Sequence, residues 1–229
     1  MRKLHSLLFF LCVAHSFSSI GQSHSNYNRS SFWKENKLAI SANAGYSTRT
    51  IDNSKTYLNT LRNGTEAIHY NGYKMGLQVS LTSTDDDFIL NKLNSGIRGD
   101  YYNMNAKSSH RFSENISLYY IGIVQGGSYA ITKSANVSLK LDLSIGYAQF
   151  KNELHVNTQK NELSGSGFGY GASLSVSFEL SKHLYLNIGG DILISIINSK
   201  IKATPNIVYS RGSEGVSFTT ALFSVTRQF

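Results

Sequence analysis

Between Leu38 and the C-terminus, apolar side chains return at every second residue. The clearest run is Val137, Leu139, Leu141, Leu143, Ile145 and Tyr147, interleaved with Ser138, Lys140, Asp142, Ser144, Gly146 and Ala148. Only an extended chain places alternate residues on opposite faces, so this run reads as a two-faced β-strand. Phe168, Tyr170, Ala172, Leu174, Val176, Phe178 and Leu180 repeat the pattern with glycine and serine between them. Leu184, Leu186, Ile188, Ile192, Ile194 and Ile196 follow, with Gly190 and Leu193 out of step. Leu38 to Tyr46 and Tyr73 to Leu81 alternate in the same way. Less regular strands are expected around Ile97–Tyr102, Ile116–Tyr129 and Val216–Phe229, which brings the number to eight. In the last one the apolar face changes between Phe218 and Ala221, which points to a bulge or a misjudged strand boundary. Asn71-Gly72 is a hairpin signal that would raise the count to ten, and eight is preferred.

The polar faces are the unusual feature. A water-soluble sheet turns its oily face inward and shows charged residues to solvent. Here the second face is mostly glycine and serine with only occasional charges, which a narrow eight-stranded lumen can accommodate. The bulky face then points outward into hydrocarbon, where closure into a ring satisfies every backbone amide. Long polar connections at 50–66, 103–114, 151–164 and 198–213 alternate with short ones at 82–88, 131–136 and 181–183. The expected fold is therefore all-β, an eight-stranded antiparallel up-and-down transmembrane β-barrel with short periplasmic turns and long external loops.

The inward set contains Lys74, Arg98, Asp100, Lys140, Asp142, Glu179 and Asp191. Buried charges need partners, so three cations and four anions predict a paired lumen network and no open pore. Tyr46, Tyr147, Phe168 and Tyr170 lie toward the long-loop ends, and Tyr129, Phe178 and Phe229 toward the short turns. Two interfacial girdles are implied.

The N-terminus reads as an export signal. Arg2 and Lys3 precede an apolar run from Leu7 to Ala14, and Ser19 and Gly21 supply small residues for cleavage before Gln22. The expected organisation is a signal peptide at 1–21, an N-terminal periplasmic segment at 22–35 and the barrel at 36–229. Lipidation at Cys12 is rejected because Leu11 stands where a small residue is needed. Cys12 is the single cysteine of the 229 residues, so no disulfide or cysteine metal site is expected. The net charge of +8 is scattered without a recognition motif, which argues against nucleic acid as a partner.

An export signal, eight amphipathic strands and the terminal Thr226-Arg227-Gln228-Phe229 together resemble the small OmpA/OmpX-type outer-membrane barrels. The stretch from Tyr120-Ile121-Gly122 to Ile145-Gly146-Tyr147 is similar to the uncharacterised outer-membrane β-barrel proteins of Bacteroidetes. The resemblance implies a cell outer membrane location. It also implies that Phe229 is an assembly signal read by the barrel-insertion machinery, although Arg227 occupies a place where an apolar residue is usual.

Catalytic chemistry finds little support. His155, with Glu153 and Ser164 or Ser166, has the residue types of a serine hydrolase but not the His-x-Ser spacing of lipid A deacylases. His69, His110 and His183 are scattered, and Asp85-Asp86-Asp87 lacks the remaining positions of a calcium loop. No cofactor is expected. The external segments carry Arg49, Lys55, Arg62, Lys107, Arg111, Lys151, Lys160, Lys200, Lys202 and Arg211 against Asp52, Glu66, Glu114, Glu153, Glu162 and Glu214. This basic rim predicts contact with lipopolysaccharide phosphates, chiefly through Lys200, Lys202 and Arg211. The functional expectation is a structural or surface-interaction barrel embedded in outer-membrane lipid. The alternatives are a lipid A-modifying enzyme and a narrow channel or small-ligand carrier.

Overall fold

Eight strands follow one another around a closed ring: β1 (Asn36–Thr50), β2 (Asn71–Thr84), β3 (Lys92–Ser108), β4 (Phe112–Ala130), β5 (Val137–Val156), β6 (Gln159–Ser181), β7 (Leu184–Ala203) and β8 (Arg211–Gln228). The computed structural model describes residues 36–50, 70–84, 92–108, 112–132, 136–156, 159–203 and 211–229. The expected signal peptide, the 22–35 segment, residues 51–66 of the 50–66 connection and Asp85-Asp86-Asp87 lie outside the described residues. β1 closes against β8 in an unbroken antiparallel ladder from Ala39↔Gln228 to Thr50↔Ser217. Inside that seam Ser41 bonds Thr226 and Ser47 bonds Thr220, each at 2.7 Å.

The outward face carries the predicted greasy stripe: Leu77, Ile97, Ile121, Leu141, Leu174, Ile194 and Phe223 are all exposed. Aromatic residues bound it. On β4, Tyr119 and Tyr129 are ten residues apart and both exposed. At about 3.3 Å per residue and a tilt of roughly 40°, they bracket an apolar band about 25 Å tall. Tyr101 packs on Tyr119 with ring centroids 4.7 Å apart, and Tyr73 meets Tyr101 edge-on at 6.3 Å, forming part of the upper girdle. Just above, Asn103 and Asn105 hydrogen-bond along the same face, which marks the return to water.

Several local expectations are corrected. The segments 103–114 and 151–164 are mostly continued strand, pairing through Ser108↔Phe112 and Val156↔Gln159. β7 and β8 likewise run together as far as Lys200↔Arg211. Asn71-Gly72 forms no hairpin; it starts β2 opposite Asn105 and Met104. β8 has no bulge, and the register shift lies instead between Glu179 and Ser181, beside the β6–β7 turn. The face change in β8 has another cause: Val216 and Phe218 are buried inside the barrel, while Ala221, Phe223 and Val225 face out.

Candidate functional site: a lumen filled on two levels

The interior is organised by height. In the lower part, Ser41, Ser80, Ser177, Asn187 and Thr226 surround a cavity of about 50 Å³, with Lys92, Lys140 and Tyr185 at its wall. Such a space holds a few waters at most. Above it, Asp142 accepts from Asn94 Nδ2 at 2.8 Å and pairs with Lys140 Nζ at 2.9 Å.

The next level is an ion quartet. Lys74 Nζ donates to Asp191 Oδ2 at 2.7 Å and lies 3.4 Å from Asp100. Arg98 Nε donates to Asp100 Oδ2 at 2.6 Å, and its Nη2 reaches Asp191 Oδ1 at 3.0 Å. All four side chains are almost completely buried. Two cations and two carboxylates cancel, which is how four charges persist here; removing one would leave an uncompensated buried ion. Gly76 makes this possible, because a Cβ there would collide with the Asp100 carboxylate.

Aromatic rings cap the quartet. Tyr102 donates its hydroxyl to Asp191 at 2.9 Å and receives Lys74 over its ring at 5.5 Å. Arg98 stands 5.5 Å from the Tyr120 ring centre. Gly169 leaves the space that the Tyr120 ring occupies. Tyr102 then stacks on Phe218 at 4.9 Å, and from there the interior is apolar: Met104, Ile116, Leu118, Phe150, Leu154, Leu163, Leu193, Ile197 and Val216 form one buried cluster. The expectation of a lumen lined by glycine and serine therefore holds only for the lower half. Ile192 and Ile194, on either side of Leu193, face out while Leu193 is fully buried.

Of the seven charges assigned to the lumen, the structure brings Lys74, Arg98, Asp100 and Asp191 into one cluster and Lys140 and Asp142 into a second. Glu179 joins neither. It lies at the turn end, in register with Tyr185. Glu114, read as part of the external rim, is instead buried in the barrel, accepting from Tyr70 at 2.6 Å and from Asn152 Nδ2. Residue type alone hid it, because an acid in a polar stretch looks solvated; its place in the alternation with Ile116 and Leu118 was the available signal.

The outer wall of the β5–β6 extension carries a surface charge ladder. Lys151 Nζ is 2.7 Å from Glu153 and 3.6 Å from Glu162, and Lys160 is 3.6 Å from Glu153. The hydrogen bond from Lys151 holds the Glu153 carboxyl below its usual range. Two of the ten rim cations are thus already matched. Lys200 and Arg211 occupy partner positions in the β7–β8 ladder, and Lys202 is opposite Glu162. His155 pairs with Ser113 and Lys160, whereas Ser164 pairs with Lys151. Four residues of strand, roughly 13 Å, separate those levels. At the C-terminus, Phe229 donates its amide to Leu38 at 2.8 Å and its ring lies 5.1 Å from the Arg227 guanidinium.

No protein family and no curated protein matches the chain by sequence. Solved structures do match by shape. Neisserial surface protein A is 14% identical with a TM-score of 0.52, covering 84% of this chain and 97% of that one. A major outer membrane protein of Thermus thermophilus is 10% identical with a TM-score of 0.50, covering 85% and 99%. The fold is that of the small outer-membrane barrels. That fold, together with an outward apolar band between aromatic girdles, places the chain in the outer membrane.

Proposed function

We propose that the protein is a closed outer-membrane barrel with a structural or surface-interaction role, conducting no solute and carrying no catalytic centre. The observation behind this reading is the doubly filled lumen, a neutral ion quartet beneath a buried apolar cluster. A channel would need a continuous wet path, and eight strands enclose room mainly for side chains. Reconstitution in planar bilayers should give no steady conductance in the wild type. Sustained single-channel steps would overturn the proposal.

What the barrel offers outward is a rigid wall. β5 continues nine residues beyond the girdle residue Tyr147, which lifts its end about 20 Å above the membrane. Partners in this reading are lipopolysaccharide, met by Lys200, Lys202 and Arg211, and the assembly machinery, which reads Phe229. The excess of Lys and Arg over Asp and Glu in the external segments favours phosphate as the contact. The triple charge reversal K200E/K202E/R211E should reduce co-purifying lipopolysaccharide phosphate; an unchanged amount would refute that contact. The likeness of the 120–147 stretch supports membership of the Bacteroidetes barrel group.

A further inference from the structure

A cation interrupts the outward face of β8. Ala221, Phe223 and Val225 point into the membrane, and the next residue on that face is Arg227, which is exposed like them. Its register partners are Ile40 on β1 and Leu184 on β7, so no acid faces it from either neighbouring strand. The guanidinium stands 5.1 Å from the Phe229 ring. Among the described residues it has no ion pair and no hydrogen bond, which leaves all five N–H donors to the surroundings. Lys182, in the β6–β7 turn, is likewise exposed and has no ion pair among the described residues. His183 follows it and accepts the Gln228 amide at 2.9 Å, which lays this turn against the end of β8.

The depth of this corner decides what those donors meet. Short turns face the periplasm in this fold, and Tyr129, Phe178 and Phe229 make the aromatic girdle on that side. Arg227 therefore stands where acyl chains give way to headgroups. A guanidinium held in hydrocarbon would be costly, whereas at the interface its stem lies along apolar surface and its head reaches phosphate. The Phe229 ring lies against the guanidinium and leaves its edge open, and that planar fork matches two phosphate oxygens at once. Lipopolysaccharide, met in the reading above by Lys200, Lys202 and Arg211, belongs to the opposite end of the barrel. Two cations against one phosphate leave a positive remainder, which favours a headgroup without a cation of its own.

We propose that Arg227, with Lys182 beside it, binds the phosphate of an anionic glycerophospholipid in the periplasmic leaflet. The full chain, refolded in detergent and mixed with phosphatidylglycerol, should keep one such lipid in native mass spectrometry. R227Q should weaken that retention about tenfold, in keeping with the loss of a bidentate charged contact. R227K keeps the charge without the fork and should fall between the two. K182Q should lose about two- to threefold, as befits one exposed cation. Phosphatidylcholine should be held more weakly than phosphatidylglycerol, and inorganic phosphate at equal concentration should displace neither. Both side chains are exposed, so heat-modifiable gel migration should be unchanged in every variant. Equal retention of phosphatidylglycerol by wild type and R227Q, displacement by inorganic phosphate, or an effect of R227Q on lipid A alone would each overturn the proposal.

Discussion

The lower and upper halves of the barrel interior solve the same filling problem with opposite chemistry. Below, small hydroxyl and amide residues leave narrow polar spaces around two clusters of paired charges. Above, Ile116, Phe150, Leu154, Leu163 and their neighbours form one buried apolar cluster. The difference follows from what surrounds each half. Within the membrane the outward face supplies the apolar surface that assembly requires, and the lumen can remain polar. The strands that rise beyond the girdle meet water on their outer face, so their stability must come from an apolar interior.

The comparison breaks most readily at the junction. Asp191→Ala strands Lys74 and Arg98 with one carboxylate between them and should cost about 3–5 kcal/mol, the penalty of an unpaired buried charge. Replacing Lys74 and Asp191 together by apolar residues of similar size should cost distinctly less. Urea unfolding in vesicles distinguishes the two, and equal losses would show that the quartet does not act as a unit.

Neighbours on opposite faces of β7 sharpen the contrast. Leu193→Ala opens a hole within the packed cluster and should cost about 2–5 kcal/mol, including the cavity contribution. Ile194→Ala faces acyl chains that flow into the vacated space, so only the transfer contribution of about 1–2 kcal/mol should be lost. If the two cost the same, the upper interior is not close-packed.

Smaller effects lie at the two ends. His183 holds φ 72° in the β6–β7 turn, a conformation that strains a residue with a Cβ. His183→Gly should therefore raise stability by roughly 0.5–1 kcal/mol, read as a shift in the urea midpoint. On the outer wall, Glu153 has its carboxyl held low by Lys151. A lowered folded pKa means that its contribution is present above the ordinary carboxylate range and fades as pH falls through the depressed value. An NMR titration of Glu153 should show that lowered midpoint moving back up in Lys151→Ala and at high salt; an immobile midpoint would deny the pairing.

How much of this the sequence disclosed differed in the same way between the two halves. The membrane half was legible because Leu139, Leu141 and Leu143 alternate with Ser138, Lys140, Asp142 and Ser144, and one period fixes strand and face together. The upper half was not, since Leu154 and Leu163 point inward among polar neighbours that face water. Their stripe is inverted relative to the strand below, so β8 looked bulged and 151–164 looked like loop. The lumen cations and acids were recognisable as inward-facing, but which of them meet depends on register between distant strands. Lys74 and Asp191 are 117 positions apart along the chain, and no local pattern pairs them.

The inside-out assignment is tested most directly by spin-label accessibility at single sites in vesicles. Labels at Leu141 and Ile194 should be relaxed strongly by oxygen, which concentrates in lipid, and hardly at all by a water-soluble nickel complex; a label at Leu193 should be shielded from both. Strong relaxation by nickel at Leu141 and Ile194 would mean that the apolar stripe meets water, and would contradict a barrel turned outward to the membrane.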